Sequence, residues 1–208
     1  MDKNKINYGV YLVTDRNVLK GKKLIAAIEE SIKGGAGIIQ LREKNISSRE
    51  FLNIAEEVKQ ITDKYDIPLI INDRIDIALA VNASGVHLGQ EDMPCKKARK
   101  ILGKDMIIGV SAHNLEEALK AQEDGADYIG CGAVFTTTTK SDTTNIEISD
   151  IKRIKESIKI KMVAIGGINE ENISKLQGTG IDGVAVVSAI LSKDNIKKAT
   201  EELLKFNL

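Results

Sequence analysis

Tyr8-Gly9-Val10-Tyr11-Leu12-Val13-Thr14 is an apolar, strand-like run, and Asp15-Arg16-Asn17 follows it directly. An open doubly wound sheet built to hold a dinucleotide carries GxGxxG at that junction, opening the helix after the first strand. None is present here. Further apolar runs, rich in Val and Ile, occur at residues 38–41, 68–71, 85–88, 106–110, 128–135, 162–165 and 183–187, which with 8–14 makes eight predicted strands. Several lack polar alternation, as expected of parallel strands covered on both faces. Between them the spacing of apolar residues near three and four predicts amphipathic helices, most clearly over 24–33, 48–64, 114–124 and 193–205. Short side-chain acceptors stand at the predicted helix starts: Ser47 or Ser48 before Glu50, Asn114 before Glu116-Glu117, and Asn169 before Glu170-Glu171. Gly34-Gly35-Ala36-Gly37 precedes a strand and reads as a helix stop and turn, without a phosphate role. Eight strands alternating with about eight helices, with no Pro/Gly/Ser-rich linker, predict one closed (β/α)8 TIM barrel occupying residues 1–208 as a single domain.

Composition narrows the function. Lys plus Arg and Asp plus Glu each number 30, so no long-range field draws in nucleic acid or an anionic membrane, and any anion site must be local. Three Phe, four Tyr and no Trp argue against a base-stacking platform. No apolar stretch approaches the roughly 20 residues that span a bilayer, and Met1-Asp2-Lys3-Asn4-Lys5 lacks the apolar region of a signal peptide. Cys95 and Cys131, without CxxC spacing, fit a reduced chain, and a cytoplasmic location is expected. The predicted outer helix faces carry no contiguous apolar patch that defines an oligomer.

In a (β/α)8 barrel the loops leaving the strands' C-terminal ends converge over one mouth, where the active site lies. Here each apolar run stops at polar residues: Gln40, Arg42 and Lys44 after the second, Asn72-Asp73-Arg74 after the third, Gly89-Gln90-Glu91-Asp92 after the fourth, and Ser111-Ala112-His113 after the fifth. Gln40, Arg42 and Lys44 fall on alternate positions, so an extended chain turns them to one face, with Leu41 and Glu43 on the other. They read as an anion-binding set or as a strand running out into solvated charge. Asp73 and Asp92, on adjacent strand ends, read as turn or cap residues or as carboxylates sharing one cation. Mg2+ suits such a pair, since it uses one or two carboxylates and leaves the remaining positions to water and phosphate oxygens. Zinc does not: His87 and His113 are the only histidines and lack ligand spacing, so His87 is expected to be packed or hydrogen-bonded. Gly166-Gly167 and Val187-Ser188, after the last two strands, suggest a second anion site made by backbone N–H groups. Residues 135–144, rich in Thr with one Lys, form a polar loop long enough to close over a ligand.

Taken together, residues 11–15, 40–44, 72–74, 85–92, 109–113, 164–168 and 183–190 resemble the thiamine phosphate synthase family over nearly the whole chain. The resemblance implies a (β/α)8 barrel that uses Mg2+ to join hydroxymethylpyrimidine diphosphate to a thiazole phosphate, with diphosphate leaving, and with loss of carbon dioxide when the thiazole carries a carboxylate. It implies that Gln40, Arg42, Lys44, Asn72, Ser111 and Lys140 bind the pyrimidine diphosphate, that Asp73 and Asp92 hold the metal, and that Thr137, Thr139, Gly167, Val187 and Ser188 hold the thiazole phosphate. It also implies a dissociative substitution with no protein nucleophile, the leaving group being stabilised by Arg42, Lys44 and Lys140. One segment departs from the family pattern: Ala133 and Thr136 stand where prolines are usual, so the loop is expected to be less preorganised. Two other functions fit the same barrel. A thiazole tautomerase would use His113 as acid or base, and a noncatalytic sensor would bind a phosphate ligand without turnover.

Overall fold

The computed structural model describes residues 3–136 and 145–206. Eight parallel strands close into a barrel in sequence order. They are β1 (Val10–Val13), β2 (Ile38–Leu41), β3 (Leu69–Asn72), β4 (Gly85–Leu88), β5 (Ile107–Ala112), β6 (Tyr128–Gly132), β7 (Lys161–Ile165) and β8 (Gly183–Val186). β8 returns to β1 with Val10 opposite Val184, which leaves no free sheet edge among them. Among the described residues eight α-helices surround the strands: α1 (Leu24–Lys33), α2 (Ser48–Lys64), α3 (Ile75–Ala80), α4 (Cys95–Leu102), α5 (Leu115–Glu123), α6 (Ile148–Ser157), α7 (Ser188–Leu191) and α8 (Ile196–Leu204).

The local signals act as chemistry predicts. Ser47, the earlier of the two candidate caps, accepts a hydrogen bond from the Glu50 amide at 3.1 Å and starts α2. Phe51, Ala55, Val58 and Thr62 then form the helix's buried face. Burial of the Phe51 side chain alone contributes about 2–3 kcal/mol. Asn114 caps α5 through the Glu117 amide at 2.9 Å. The last helix begins at Ile196 rather than at 193, because Asn195 caps it through the Lys198 amide.

Two further expectations are corrected. The sixth strand ends at Gly132, short of residue 135. Beyond it the Val134 and Phe135 amides still donate to the carbonyls of Ile165 and Gly166, but Gly166 (φ 104°) and Gly167 (φ 64°) turn the partner chain out of the ladder. Asn169 does not start an α-helix; a single 3-10 turn, Ile173–Leu176, is the helical element between β7 and β8. The Asn169 side chain accepts from the Glu171 amide, and Asn172 accepts from the Asn169 amide while donating to the Gly167 carbonyl. These bonds satisfy the backbone in a turn and so compete with a helix.

Side chains inside the barrel alternate with those packed under the helices. The inner set includes Tyr11, Ile38, Ile70, Ile107, Tyr128 and Val163, and the outer set includes Leu12, Ile39, Ile71, Ile108, Ile129 and Ala164. At the N-terminal rim two aspartates close the ladder. Asp127 accepts from the Ile108 amide at 2.8 Å and pairs with Arg99 and Lys3. Asp182 accepts from the Met162 amide at 2.9 Å and pairs with Lys155 at 2.5 Å and Lys161 at 2.7 Å. Burial works against the Asp182 charge, but the two lysines and the amide hold its carboxyl below the usual carboxylate range. A folded-state value below the unfolded one gives stability that is full above about pH 4 and is lost as pH falls through the folded value. Asp182→Asn is therefore expected to cost about 2 kcal/mol at pH 7. The two proteins' urea midpoints should converge on acidification, and a gap independent of pH would contradict this.

Candidate active site

The strands' C-terminal ends bring most of the predicted residues to one mouth. Gln40 points inward and is buried, as its alternation with Ile38 requires. Arg42 follows the end of β2; its amide donates to Thr14 Oγ1 at 2.9 Å and its guanidinium lies 3.5 Å from Asp15. Lys44 Nζ donates to Asp73 Oδ2 at 2.6 Å. The Glu43 side chain is almost wholly buried and is paired with Arg16 at 2.8 Å. Its Oε1 has no hydrogen-bond partner among the described residues. Burial pushes the Glu43 carboxyl up, against the pull of Arg16. Asp15, Arg16, Arg42, Glu43 and Lys44 line a cleft of about 340 Å3.

Asp73 adopts the left-handed region, with φ 61°. That conformation costs on the order of 1 kcal/mol in a residue with a Cβ, and Asp tolerates it better than most. It is fixed by the Asp73 amide bonding to the His87 carbonyl at 2.9 Å, and it directs the carboxylate to the mouth beside Lys44. Asp92, after β4, accepts from the Gly89 amide at 2.7 Å. Burial, reinforced by the neighbouring Asp73 carboxylate, pushes the Asp92 carboxyl up, against the Gly89 amide and Lys44. Two carboxylates forced together in this way suit a shared cation. Among the described residues no cluster of three or more His, Cys, Asp or Glu forms an all-protein metal cage. The donor set fits Mg2+, which takes its remaining ligands from water and phosphate.

Asn72 ends β3, buried inside the barrel, and Ser111 lies near the end of β5 on the inward parity. Gly167 lies two residues past the end of β7, and Val187 directly follows β8. Ser188, exposed, begins the single-turn helix α7. Thr137, Thr139 and Lys140 lie outside the described residues. The base of their loop is held down: the Ile146 amide donates to the Ala133 carbonyl at 2.7 Å.

His113 is bound to Glu117 through its amide at 2.8 Å and its Nδ1 at 2.9 Å. It lines a separate cleft of about 350 Å3 with Asn114, Asp150 and Arg153.

Residue-by-residue reading of the sequence missed a connected set inside the barrel. Gln40 Nε2 donates to Tyr11 Oη at 2.8 Å, Tyr11 Oη lies 2.7 Å from Tyr128 Oη, Tyr128 Oη 3.0 Å from His87 Nδ1, and His87 Nε2 3.0 Å from Ser111 Oγ. The expectation that His87 is packed and hydrogen-bonded holds. Inward parity of Tyr11, Gln40, His87, Ser111 and Tyr128 along their strands was the signal that could have joined them.

The protein is a (β/α)8 barrel whose mouth sets Lys44 beside the paired carboxylates of Asp73 and Asp92. Residues 10–190 match the family described as thiamine monophosphate synthase, and the chain belongs to that family. A thiamine-phosphate synthase of Clostridium tetani is 57% identical over 206 residues, covering 99% of both chains. Another, of Alkaliphilus oremlandii, is 56% identical over 198 residues, 95% of each. The solved thiamine phosphate pyrophosphorylase from Pyrococcus furiosus superposes with a TM-score of 0.89 at 44% identity, covering 96% of this chain and 95% of that one. The chain is accordingly a transferase of thiamine biosynthesis, and the synthase function is favoured over the tautomerase and the sensor.

Proposed function

We propose that the mouth of the barrel condenses hydroxymethylpyrimidine diphosphate with a thiazole phosphate, or its carboxylated form with loss of carbon dioxide, and releases diphosphate. The observation that carries this reading is the meeting of Lys44, Asp73 and Asp92, with Arg42 lining the cleft beside Lys44, since a leaving diphosphate requires cationic groups and a carboxylate-held metal side by side. An isomerase acting on the thiazole alone has no diphosphate to hold. Arg42 presents a planar fork to two phosphate oxygens and Lys44 a point charge, so the two divide the leaving group between them. Asp73 and Asp92 would hold Mg2+, which when bound supplies further neutralisation of the charge that grows on the leaving oxygens.

The reaction asks little else of the protein. Diphosphate departs with the bonding electrons, the electron-rich aminopyrimidine stabilises the methylene cation, and the thiazole nitrogen attacks it, so no side chain acts as a nucleophile. The barrel binds and aligns the two substrates and keeps water from the cation. Gln40, Asn72 and Ser111 orient the pyrimidine from inside the mouth. Gly167, Val187 and Ser188 offer backbone and hydroxyl donors to the thiazole phosphate, and Thr137, Thr139 and Lys140 complete the two sites. No helix among the described residues is long and apolar enough to cross a membrane. A cytoplasmic location without a nucleic-acid partner belongs to the same reading, and the two buried, unpaired cysteines agree with it.

The test is purified protein with Mg2+ and both substrates, following thiamine phosphate and diphosphate together. Arg42→Ala is expected to lower kcat/KM for the pyrimidine diphosphate about 100-fold, while leaving the KM for thiazole phosphate within about twofold. An equal rise in the KM of both substrates would refute the division of the mouth into two sites.

A further inference from the structure

A buried carboxylate is an unexpected wall for a cleft that takes an anion. Glu43 lines the cleft of about 340 Å3 together with Arg42 and Lys44, yet its side chain is only 4% exposed and its Oε1 has no hydrogen-bond partner among the described residues. Fastening the loops after β1 and β2 does not account for it. Those loops are already joined through Thr14, whose amide donates to the Gln40 carbonyl at 2.9 Å and whose Oγ1 accepts from the Arg42 amide at 2.9 Å. Burying a carboxylate for one ion pair is a poor source of stability, and the largely exposed pair of Arg16 with Glu50 adds little. What the burial does achieve is the placement of Arg16. Glu43 Oε2 accepts from Arg16 Nε at 2.8 Å, with Arg16 Nη2 at the same distance, and Nη2 donates to Glu50 Oε1 at 3.2 Å. These bonds use Nε and Nη2, so the Nη1 hydrogens of the guanidinium are left for another acceptor. Arg16 lines the same cleft as Arg42 and Lys44.

We infer that Arg16 is a third cationic contact to the leaving diphosphate, with Glu43 the positioning residue that holds its guanidinium at the cleft. This role rests on the reading that Arg42 and Lys44 take the diphosphate there. The ion pairs between the two loops cross: Asp15 lies 3.5 Å from Arg42, while Arg16 pairs with Glu43. Neighbouring residues on one loop thus meet neighbouring residues on the other with their charges exchanged. Each guanidinium is tethered to a carboxylate of the opposite loop, and both line one cleft. The two carboxylates offset the repulsion that two guanidiniums would otherwise feel at this distance from each other. A diphosphate presents two phosphoryl groups, and a planar fork matches phosphate oxygens in a way that the Lys44 ammonium does not.

The test is a double variant, Arg16→Gln with Glu43→Gln, which removes one positive and one negative charge and leaves the net charge of the cleft unaltered. Net charge alone then predicts no change in anion affinity, whereas a lost contact predicts a weaker one. Inorganic diphosphate, titrated by calorimetry at saturating Mg2+, is expected to bind about tenfold more weakly than to the wild type, with the KM for thiazole phosphate within about twofold. The positioning role is read from two single variants of equal charge. Glu43→Gln keeps an oxygen acceptor for Arg16 and should bind diphosphate at least as tightly as the wild type; Glu43→Leu leaves Arg16 unheld and should bind it more weakly. Equal affinities in those two variants overturn the positioning role. A double variant that binds diphosphate like the wild type, while Arg42→Ala weakens binding, overturns the contact and leaves the diphosphate cleft standing. Arg42→Ala without effect on diphosphate affinity overturns the assignment of the cleft itself.

Discussion

Asn in place of Asp92 is expected to lower kcat/KM by about 100- to 1,000-fold and to raise the Mg2+ concentration for half-maximal rate at least tenfold. The substitution is nearly isosteric, and its amide oxygen can still accept from Gly89, so the turn after β4 should persist. What is lost is one of two negative charges held against each other at the mouth. Burial and Asp73 already push the Asp92 carboxyl up, so removing its charge relieves repulsion, and the melting temperature should hold or rise slightly. Loss of activity without loss of stability separates a metal-holding role from a structural one. Acidity offers an internal check. A carboxyl that holds its proton more tightly than usual must release it before a cation can bind, so the wild-type Mg2+ requirement should climb as pH falls into the carboxylate range. The Asp92→Asn protein lacks that proton and should show a flatter dependence. An unchanged Mg2+ requirement in the variant would remove Asp92 from the metal site.

The second large effect concerns the barrel interior. Gly109→Ala places a methyl 2.0 Å from Cζ and 2.3 Å from Oη of Tyr128. The ring has little freedom to retreat, packed between Tyr8 and Tyr11 with centroids 5.5 and 5.8 Å away. Overpacking of this kind costs about 3 kcal/mol or more, and poor solubility is an expected symptom. Tyr128→Ala alone leaves a cavity and costs about 3–5 kcal/mol. In the double variant the new methyl enters space the ring has left, so the combined loss should fall short of the sum by about 2–3 kcal/mol. Strict additivity by chemical denaturation would show that the two positions are not in contact.

The order of the strands was legible because each is a short Val- or Ile-rich run bounded by polar residues, a pattern that parallel pairing with cover on both faces imposes. α1 and α2 follow their predicted limits, since Gly35 (φ 99°) and Ser47 mark backbone changes that local chemistry dictates. The turn after β7 was not legible: Asn169 carries the signature of a helix cap, and only its bonds with Glu171 and Asn172 show that the amides are used in a turn. At the site, Gln40, Arg42, Lys44, Asp73 and Asp92 stood out because charge and amide groups interrupt apolar runs. Tyr11, His87 and Tyr128 did not, because an aromatic residue in a strand reads as packing until its neighbours across the barrel are known. The pairing of Glu43 with Arg16 was hidden for a similar reason, as a charge in a loop ordinarily faces solvent.

Asp127 and Asp182 fasten the end of the barrel opposite the mouth, each joining one strand's amide to two basic side chains. The groups that keep the cylinder closed are thus distinct from those that meet the substrates. Loops at the reactive rim can vary in length and sequence while the far rim supplies an unchanged mechanical anchor, and substitutions that strengthen that anchor can accumulate without taxing catalysis.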